Sequence, residues 1–378
     1  MMKISDENGL AEAIAASAGS LRITGGGTRA LGNPVDGDDL SVAGLTGISL
    51  YEPGALTLVA KAGTPVDEIE ALLASEGQRL AFEPMDHRGL SKHQGTPTIG
   101  GVVAANVSGP RRIAVGACRD FLLGVRFVDG MGRVLKNGGR VMKNVTGYDL
   151  VKLMAGSFGS LGVISEVSLK VLPEPETRAV LLIEGLDDAR AIAALSAALS
   201  APYDVTGAAH IVAGLDGAPV TMIRLEGFEA SVKYRAERLR DELSGFGAGQ
   251  IEADPVKTAA GWAWLRDLEA FHGKAGDVWR ISVKPSDGPS VGARLQPFGA
   301  EVIYDWGGGL VWALVPEGTD VRQAVAGIAG HARIERAAAE TRLRFGAFPS
   351  TGVVLDKVAA DLRHKFDPRG ILNPGIMG

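Results

Sequence analysis

Ile23-Thr24-Gly25-Gly26-Gly27-Thr28 sets three consecutive glycines directly after a short run from Leu21 to Ile23, with a threonine on each side. Glycine alone visits positive φ without steric cost, so such a run turns several main-chain N–H groups toward one point. A concavity of that kind is an anion nest, and phosphate or pyrophosphate is its usual guest. Arg29 adds a cation, and Gly32-Asn33-Pro34 closes the loop with turn chemistry. An ordinary glycine-rich turn has the same local composition, so the motif gains meaning only from the segments that accompany it.

Composition narrows the field. The chain has 378 residues, a net charge of −5 and no long basic run, which argues against nucleic acid as a partner. Its 52 glycines are about twice average usage. They point to many tight turns and close backbone approaches to a ligand. No stretch of 18 uninterrupted apolar residues spans a membrane. Met1 to Glu7 lacks the apolar core of a signal peptide, so a cytoplasmic location is expected. Cys118 is the single cysteine, too few for a cysteine-ligated iron–sulfur cluster, which needs about four thiolates. Redox current beyond this chain must run through another molecule.

The nucleotide signal is not that of a Rossmann unit, since no G-x-G-x-x-G opens a helix after a strand, and there is no Walker A sequence. Instead, glycine pairs recur. Thr98-Ile99-Gly100-Gly101 precedes Ala104-Ala105-Asn106 and Ser108-Gly109-Pro110. Gly116 then precedes Arg119-Asp120, and Gly159-Ser160-Leu161-Gly162-Val163-Ile164 follows. Paired glycines let main-chain groups approach and orient a planar ring system.

Periodicity and turn chemistry divide the chain. Ser5 is expected to cap a helix running to about Ser17. Strands are expected over Leu56–Ala60, Leu122–Asp129 and Val163–Leu172, and Pro65 opens a helix through Glu76. Pro173-Glu174-Pro175-Glu176 reads as a boundary. Beyond it the pattern is a strand (180–183), a helix (187–200), strands near Ala209 and over 220–225, a helix (229–243) and a strand near Ile251. After a Trp-bearing helix near 261–271 a similar order recurs: strand 278–283, a helical turn 291–297, strands 301–306 and 310–315, and a helix 321–329. Two β-α-β-β-α-β units suggest one sheet covered by helices.

The order of the GGGT, TIGG, Gly116–Asp120 and GSLGVI segments resembles the FAD-binding domain of the vanillyl-alcohol oxidase, or p-cresol methylhydroxylase, superfamily. A closer resemblance is to the family of FAD-binding E subunits of bacterial glycolate oxidase. Glu83-Pro84, Ser108-Gly109-Pro110-Arg111-Arg112, Val141 to Leu150, Trp279-Arg280 and the ending Phe366 to Gly375 carry it. Ile376 and the segment Leu310-Val311-Trp312 depart from it, each where that family commonly has an arginine. The resemblance implies an α+β fold: a p-cresol-methylhydroxylase-type FAD-binding domain over 1–175, with subdomains of about 1–85 and 86–175. A cap domain with a ferredoxin-like sheet over 176–340 and a C-terminal return over 341–378 complete it. Carried over by position, the cofactor residues are Thr24, Gly25, Gly26, Gly27, Thr28, Arg29, Gly32, Asn33, Pro34, Pro84, Thr98, Ile99, Gly100, Gly101, Asn106, Gly109, Gly116, Arg119, Asp120, Gly159, Gly162, Val163, Ile164 and Asn373. Thr28 stands where some members carry a flavin-linked histidine, which implies non-covalent FAD.

The same resemblance implies oxidation of glycolate, D-lactate or a similar small 2-hydroxy acid within a complex. The implied partners are an FAD-containing D subunit and an iron–sulfur F subunit, with attachment to the inner face of the membrane through them. A self-sufficient 2-hydroxy-acid dehydrogenase and a non-catalytic flavin-binding subunit are the competing readings. The histidine-rich cap motif of D subunits and D-lactate dehydrogenases has no counterpart here, and the six histidines show no metal-ligand spacing. Such an oxidation needs a hydride acceptor, a base and a cation for the carboxylate. Flavin supplies the first. His87 is a candidate base because an unperturbed imidazole titrates near 6.5, and Arg280 is a candidate carboxylate clamp. Lys143 and Tyr148 are expected to anchor a loop or pack on the cofactor. Trp262, Trp264 and Trp306 are expected in the cap core or against a partner.

Overall fold

Leu21-Arg22-Ile23-Thr24 is a strand because its alternate residues meet a helix face. Leu10 and Ile14, four residues apart on the helix Glu7–Ala16, are fully buried against Leu21, Leu40 and Leu372. Each such side chain contributes roughly 1.5–3 kcal/mol on removal from water. The N-cap is Asp6, whose carboxylate accepts from the Gly9 N–H at 2.8 Å. Ser5, the expected cap, stands one residue too early to reach that N–H.

The computed structural model describes residues 2–140, 147–214 and 217–378, so Lys143 lies outside the described residues. The chain forms two units. The first comprises residues 1–108, 117–174 and 346–378, and the second residues 109–116 and 175–345. The short excursion 109–116 belongs with the second unit although the residues on either side of it belong to the first.

In the first unit, β1 (Met2–Lys3), β2 (Leu21–Thr24) and β3 (Asp38–Ser41) form a parallel sheet in the order β1-β3-β2. Then come β4 (Ile48–Glu52), β5 (Thr57–Lys61), β6 (Gln78–Arg79), β7 (Leu122–Val128), β8 (Val134–Gly138), β9 (Val163–Lys170) and β10 (Leu172–Pro173). An antiparallel sheet runs β4-β5-β9-β7-β8, while β6 pairs with β10. The five-stranded sheet draws β4 and β5 from before residue 85 and β7, β8 and β9 from after it. The segment 371–373 returns to β2: Leu21 N–H donates to the Ile371 carbonyl, and Asn373 N–H donates back to that of Leu21.

In the second unit, β11 (Thr177–Glu184), β12 (Val205–Ile211), β13 (Val220–Gly227) and β14 (Gly249–Glu252) alternate with helices Asp188–Ser200 and Glu229–Glu242. β15 (Asp277–Val283), β16 (Glu301–Asp305), β17 (Leu310–Val315) and β18 (Gly330–Arg336) alternate with helices Gly288–Leu295 and Val321–Ala324. All eight join one antiparallel sheet, β14-β11-β13-β12-β16-β17-β15-β18. Each half is a β-α-β-β-α-β unit, and the halves meet where β12 pairs with β16.

Alternation gives the sheet two unlike faces. Leu181, Ile223, Trp279, Ile281, Val311 and Ile334 belong to the core under the helices. Their strand neighbours Arg224, Arg280, Trp312 and Arg333 therefore occupy the opposite face. The helix expected over 321–329 stops at Ala324, and Gly327 follows in the left-handed region, at φ 84°. The Trp-bearing helix starts earlier than expected, at Pro255, because Asp254 caps it by accepting from the N–H groups of Val256 and Lys257.

Candidate functional site

The glycine loop lies at the end of β2 and walls a cleft in the first unit. Thr24, Gly25, Gly26, Gly27, Thr28 and Arg29 line it together with Thr98, Gly100, Gly101, Gly159, Gly162, Val163, Ile164 and Asn373. Three stretches separated by more than 50 residues in sequence thus converge as expected. Among the described residues, the main-chain N–H groups of Gly25, Gly26, Gly27 and Thr28 donate to no protein acceptor. Gly27 has φ +70° and open space where a Cβ would stand. Four successive unsatisfied donors around an open cleft form a nest for an anion. Unpaired main-chain donors are rare in native proteins unless a ligand or water meets them, so the residues fit the pyrophosphate of FAD.

The remaining expected cofactor residues do not line this cleft. Asn33 ties the loop to the C-terminal segment: its Nδ2 donates to the Gly375 carbonyl at 3.0 Å and its Oδ1 accepts from Ala347 N–H at 2.7 Å. Gly32 lies against Ile376, whose carbonyl and side chain leave no room for a Cβ. Ile99 N–H donates to the Thr64 carbonyl. Asn106 accepts from Arg119 N–H at 3.0 Å, and Asp120 accepts from Ala117 N–H at 2.8 Å next to the Gly116 turn. These four shape a turn. Pro34 and Pro84 lie outside the lining, and Gly109 belongs to the second unit. The sequence reading missed Leu31, Val42, Ala62, Phe158 and Ile376, which line the cleft. These apolar side chains carry no motif, and only the fold brings them together.

Asn373 holds two walls of the cleft at once. Its Oδ1 accepts from Ile23 N–H and its Nδ2 donates to the Phe158 carbonyl, both at 2.8 Å. Its φ of +43° is one that asparagine tolerates better than most side chains. Asn373→Ala orphans a donor and an acceptor at a residue only 3% exposed. A loss of about 2 kcal/mol is expected, read as a lower urea midpoint at unchanged slope. A loss below about 0.5 kcal/mol, within the scatter of ordinary surface substitutions, overturns that account.

His87 is buried, 1% exposed, and its Nδ1 lies 3.2 Å from both Arg29 Nε and the Met85 carbonyl. The ring stands behind Arg29 and does not line the cleft. Tyr148 is exposed, and Trp262 is buried with the Arg224 guanidinium stacked on its ring at 4.4 Å.

Arg280 lies in the second unit on the sheet face opposite Trp279 and Ile281, between Trp312 of β17 and Arg333 of β18. Its guanidinium stacks on Trp306 at 4.9 Å and on Trp312 at 5.7 Å. Among the described residues it has no hydrogen-bond or ion-pair partner. Arg333, by contrast, is paired with Glu335 at 3.0 Å. Burial, with Arg333 and Arg112 adding to it against Glu335 and Asp305, pushes Arg280 down to about 9, still protonated at neutral pH. Burial and the charges of Arg280, Arg333 and Arg112 likewise hold the His331 imidazole below its usual range. A half-buried guanidinium with no direct ion-pair partner among the described residues is a receptor for a planar anion such as a carboxylate.

Comparison with known proteins bears on the fold and the family. A family model described as an FAD binding domain matches residues 4–138, which contain both Gly25–Thr28 and Thr98–Gly101. Among solved structures, p-cresol methylhydroxylase superposes with a TM-score of 0.72 at 14% identity, covering 100% of this chain and 88% of its own. Alkyldihydroxyacetonephosphate synthase superposes with a TM-score of 0.70 at 18% identity, covering 99% and 76%. At those identities the likeness speaks for the fold alone, and it is the fold expected from the glycine segments. The glycolate oxidase subunit GlcD of Bacillus subtilis is 38% identical over 131 residues, 35% of this chain and 24% of that one. The glycolate oxidase subunit GlcE of Escherichia coli is 37% identical over 362 residues, 94% of this chain and 92% of the relative. With that identity running through both units and the cleft between motifs intact, the chain belongs to the GlcE family of FAD-binding oxidoreductase subunits.

Proposed function

We propose that this chain is the FAD-carrying subunit of a glycolate-oxidising complex and holds FAD without a covalent bond. The unpaired Arg280 guanidinium is the observation that favours a 2-hydroxy acid as the substrate, because it offers a cation to a carboxylate that the protein itself does not supply. Bound FAD would supply the hydride acceptor. Gly25 to Thr28 would hold the pyrophosphate through main-chain N–H groups, and Thr28 offers no ring nitrogen for covalent attachment. In this reading His87 orients Arg29 at the cleft wall, since its Nδ1 is already engaged there. The electrons leave through an iron–sulfur partner, because one cysteine cannot hold a cluster. A D-type subunit completes the complex and brings it to the membrane. Among the described residues, no helix of this chain is long and apolar enough to cross a membrane.

The test is spectroscopic. The purified chain is expected to be yellow, to release its flavin on acid precipitation, and to bleach when glycolate is added without oxygen and with its partner subunits present. Flavin that stays with the precipitated protein overturns the non-covalent reading. A chain that bleaches alone is the self-sufficient dehydrogenase, and a complex that never bleaches leaves only the structural-subunit reading.

A further inference from the structure

The position of Trp306 has no purely local explanation. It is a bulky residue at φ +53°, a region such side chains rarely occupy, and the following Gly307 and Gly308 are also left-handed, at 67° and 99°. A Cβ on Gly307 would stand 2.5 Å from the Leu199 side chain, and one on Gly308 would stand 2.8 Å from Ile192. The turn is therefore pinned from below by the helix Asp188–Ser200. The indole is pinned too. Its Nε1–H donates to the Gly109 carbonyl at 3.2 Å, and the residue's main-chain N–H donates to Asp305 Oδ1 at 2.7 Å. Strained backbone of this kind persists where surroundings enforce it, and it collects at functional sites.

What the enforced indole does is carry cations. Arg112, from the excursion 109–116, lies 4.7 Å from its ring centroid, and Arg280 lies 4.9 Å from it. An arginine as enclosed as Arg280 ordinarily has a carboxylate partner. Glu335, whose charge acts on Arg280, forms its ion pair with Arg333 at 3.0 Å.

We propose that Trp306 is a positioning residue that takes the place of a counter-carboxylate for Arg280. Its π-face holds the guanidinium by cation–π attraction and leaves the N–H edge unspent for the substrate's carboxylate. A carboxylate in the same place would hold the guanidinium equally well but would compete with substrate for the same donors. This inference rests on Arg280 being the carboxylate clamp, so the experiment separates the two.

Arg280→Gln, Trp306→Leu and Trp306→Phe are made in the full chain, loaded with FAD and assembled with its partners. Glycolate half-saturation and the limiting rate of flavin bleaching are measured. Binding of oxalate, a two-carbon carboxylate that cannot be oxidised by this route, is measured separately by calorimetry. Trp306→Leu is expected to weaken glycolate half-saturation and oxalate binding roughly tenfold while the limiting rate changes little. Trp306→Phe keeps an aromatic face and the same backbone strain, and is expected to restore most of the loss. Should Trp306→Leu fail to fold, Trp306→Met takes its place: a loss in both constants supports the proposal, and constants equal to the parent's overturn it. If Arg280→Gln leaves oxalate binding and half-saturation unchanged, the clamp itself is wrong and the inference falls with it. If Arg280→Gln weakens both constants but Trp306→Leu does not, or if Phe rescues nothing, the clamp stands and the role of Trp306 is overturned.

Discussion

Gly26→Ala is expected to give a folded but colourless chain, with FAD affinity lowered at least about a hundredfold. A Cβ on Gly26 would stand 1.6 Å from the Thr96 carbonyl oxygen and 2.7 Å from its carbon, far inside any real contact. Both are main-chain atoms, so no side chain can swing aside to make room. Thr96 is two residues from Thr98, which caps the helix Ile99–Ala104 and lines the same cleft. Relief must therefore come from moving the glycine loop, and a displacement near 1 Å disrupts a constellation of four main-chain donors. Gly27→Ala is the control. Its Cβ meets nothing, and the penalty is the left-handed φ of +70°, about 1–2 kcal/mol and so roughly tenfold in affinity. The measurement is flavin titration of the apoprotein, with circular dichroism to show that the fold persists. Gly26→Ala binding FAD as tightly as the parent would remove this loop from the site.

The second large effect is on stability. Glu226→Gln should destabilise the chain by about 3–5 kcal/mol, the usual consequence of removing one partner from a buried ion cluster. Glu226, on β13, faces Arg111, Arg178 and Arg224. Arg111 forms an ion pair with it, Arg224 lies 3.7 Å away and Arg178 3.9 Å. The side chains of Arg111, Arg224 and Glu226 are all at most 6% exposed. Glutamine preserves the shape and removes the negative charge that faces the three guanidinia. Arg224 would still be supported by the Trp262 ring and the Thr206 carbonyl, which is why the loss stays below the full desolvation cost. Single domains are stable by only about 5–15 kcal/mol, so urea unfolding should reveal the change plainly. A shift smaller than about 1 kcal/mol would mean that the cluster is wetter than its burial indicates.

Much of this architecture was legible from residues 23–28, 98–101 and 159–164, because glycines in a row restrict what a backbone is for. Hydrophobic alternation placed β5, β7, β9, β13, β15, β16 and β17 to within two residues, whereas β1, β3, β4 and β6 were not read. The last strand, Gly330–Arg336, went unread although Ala332 and Ile334 alternate with His331, Arg333 and Glu335. Two apolar residues among four charged or polar ones and a glycine are a faint signal, and the pairing with β15 supplies the rest. Site residues split along a physical line. Residues whose main chain faces the cleft carried a glycine signature, whereas Asn33, Asn106 and Asp120 resemble them in sequence but spend their side chains on closing turns. Arg280 was visible as a residue type at a strand. Its lack of a partner was not, since that depends on Glu335 pairing with Arg333 on their shared strand β18, which the sheet sets beside Arg280.

The return of residues 371–373 to β2 has a consequence for biosynthesis. Ile23, at the mouth of the glycine loop, is held by Asn373, 350 positions later. At roughly 5–20 residues per second, a ribosome needs between about 20 and 70 seconds to travel from one to the other. Throughout that interval the N-terminal segment has its glycines but lacks the strand partner and amide that set their spacing. Flavin capture must therefore follow translation, and a nascent chain stalled before Asn373 would emerge without its colour.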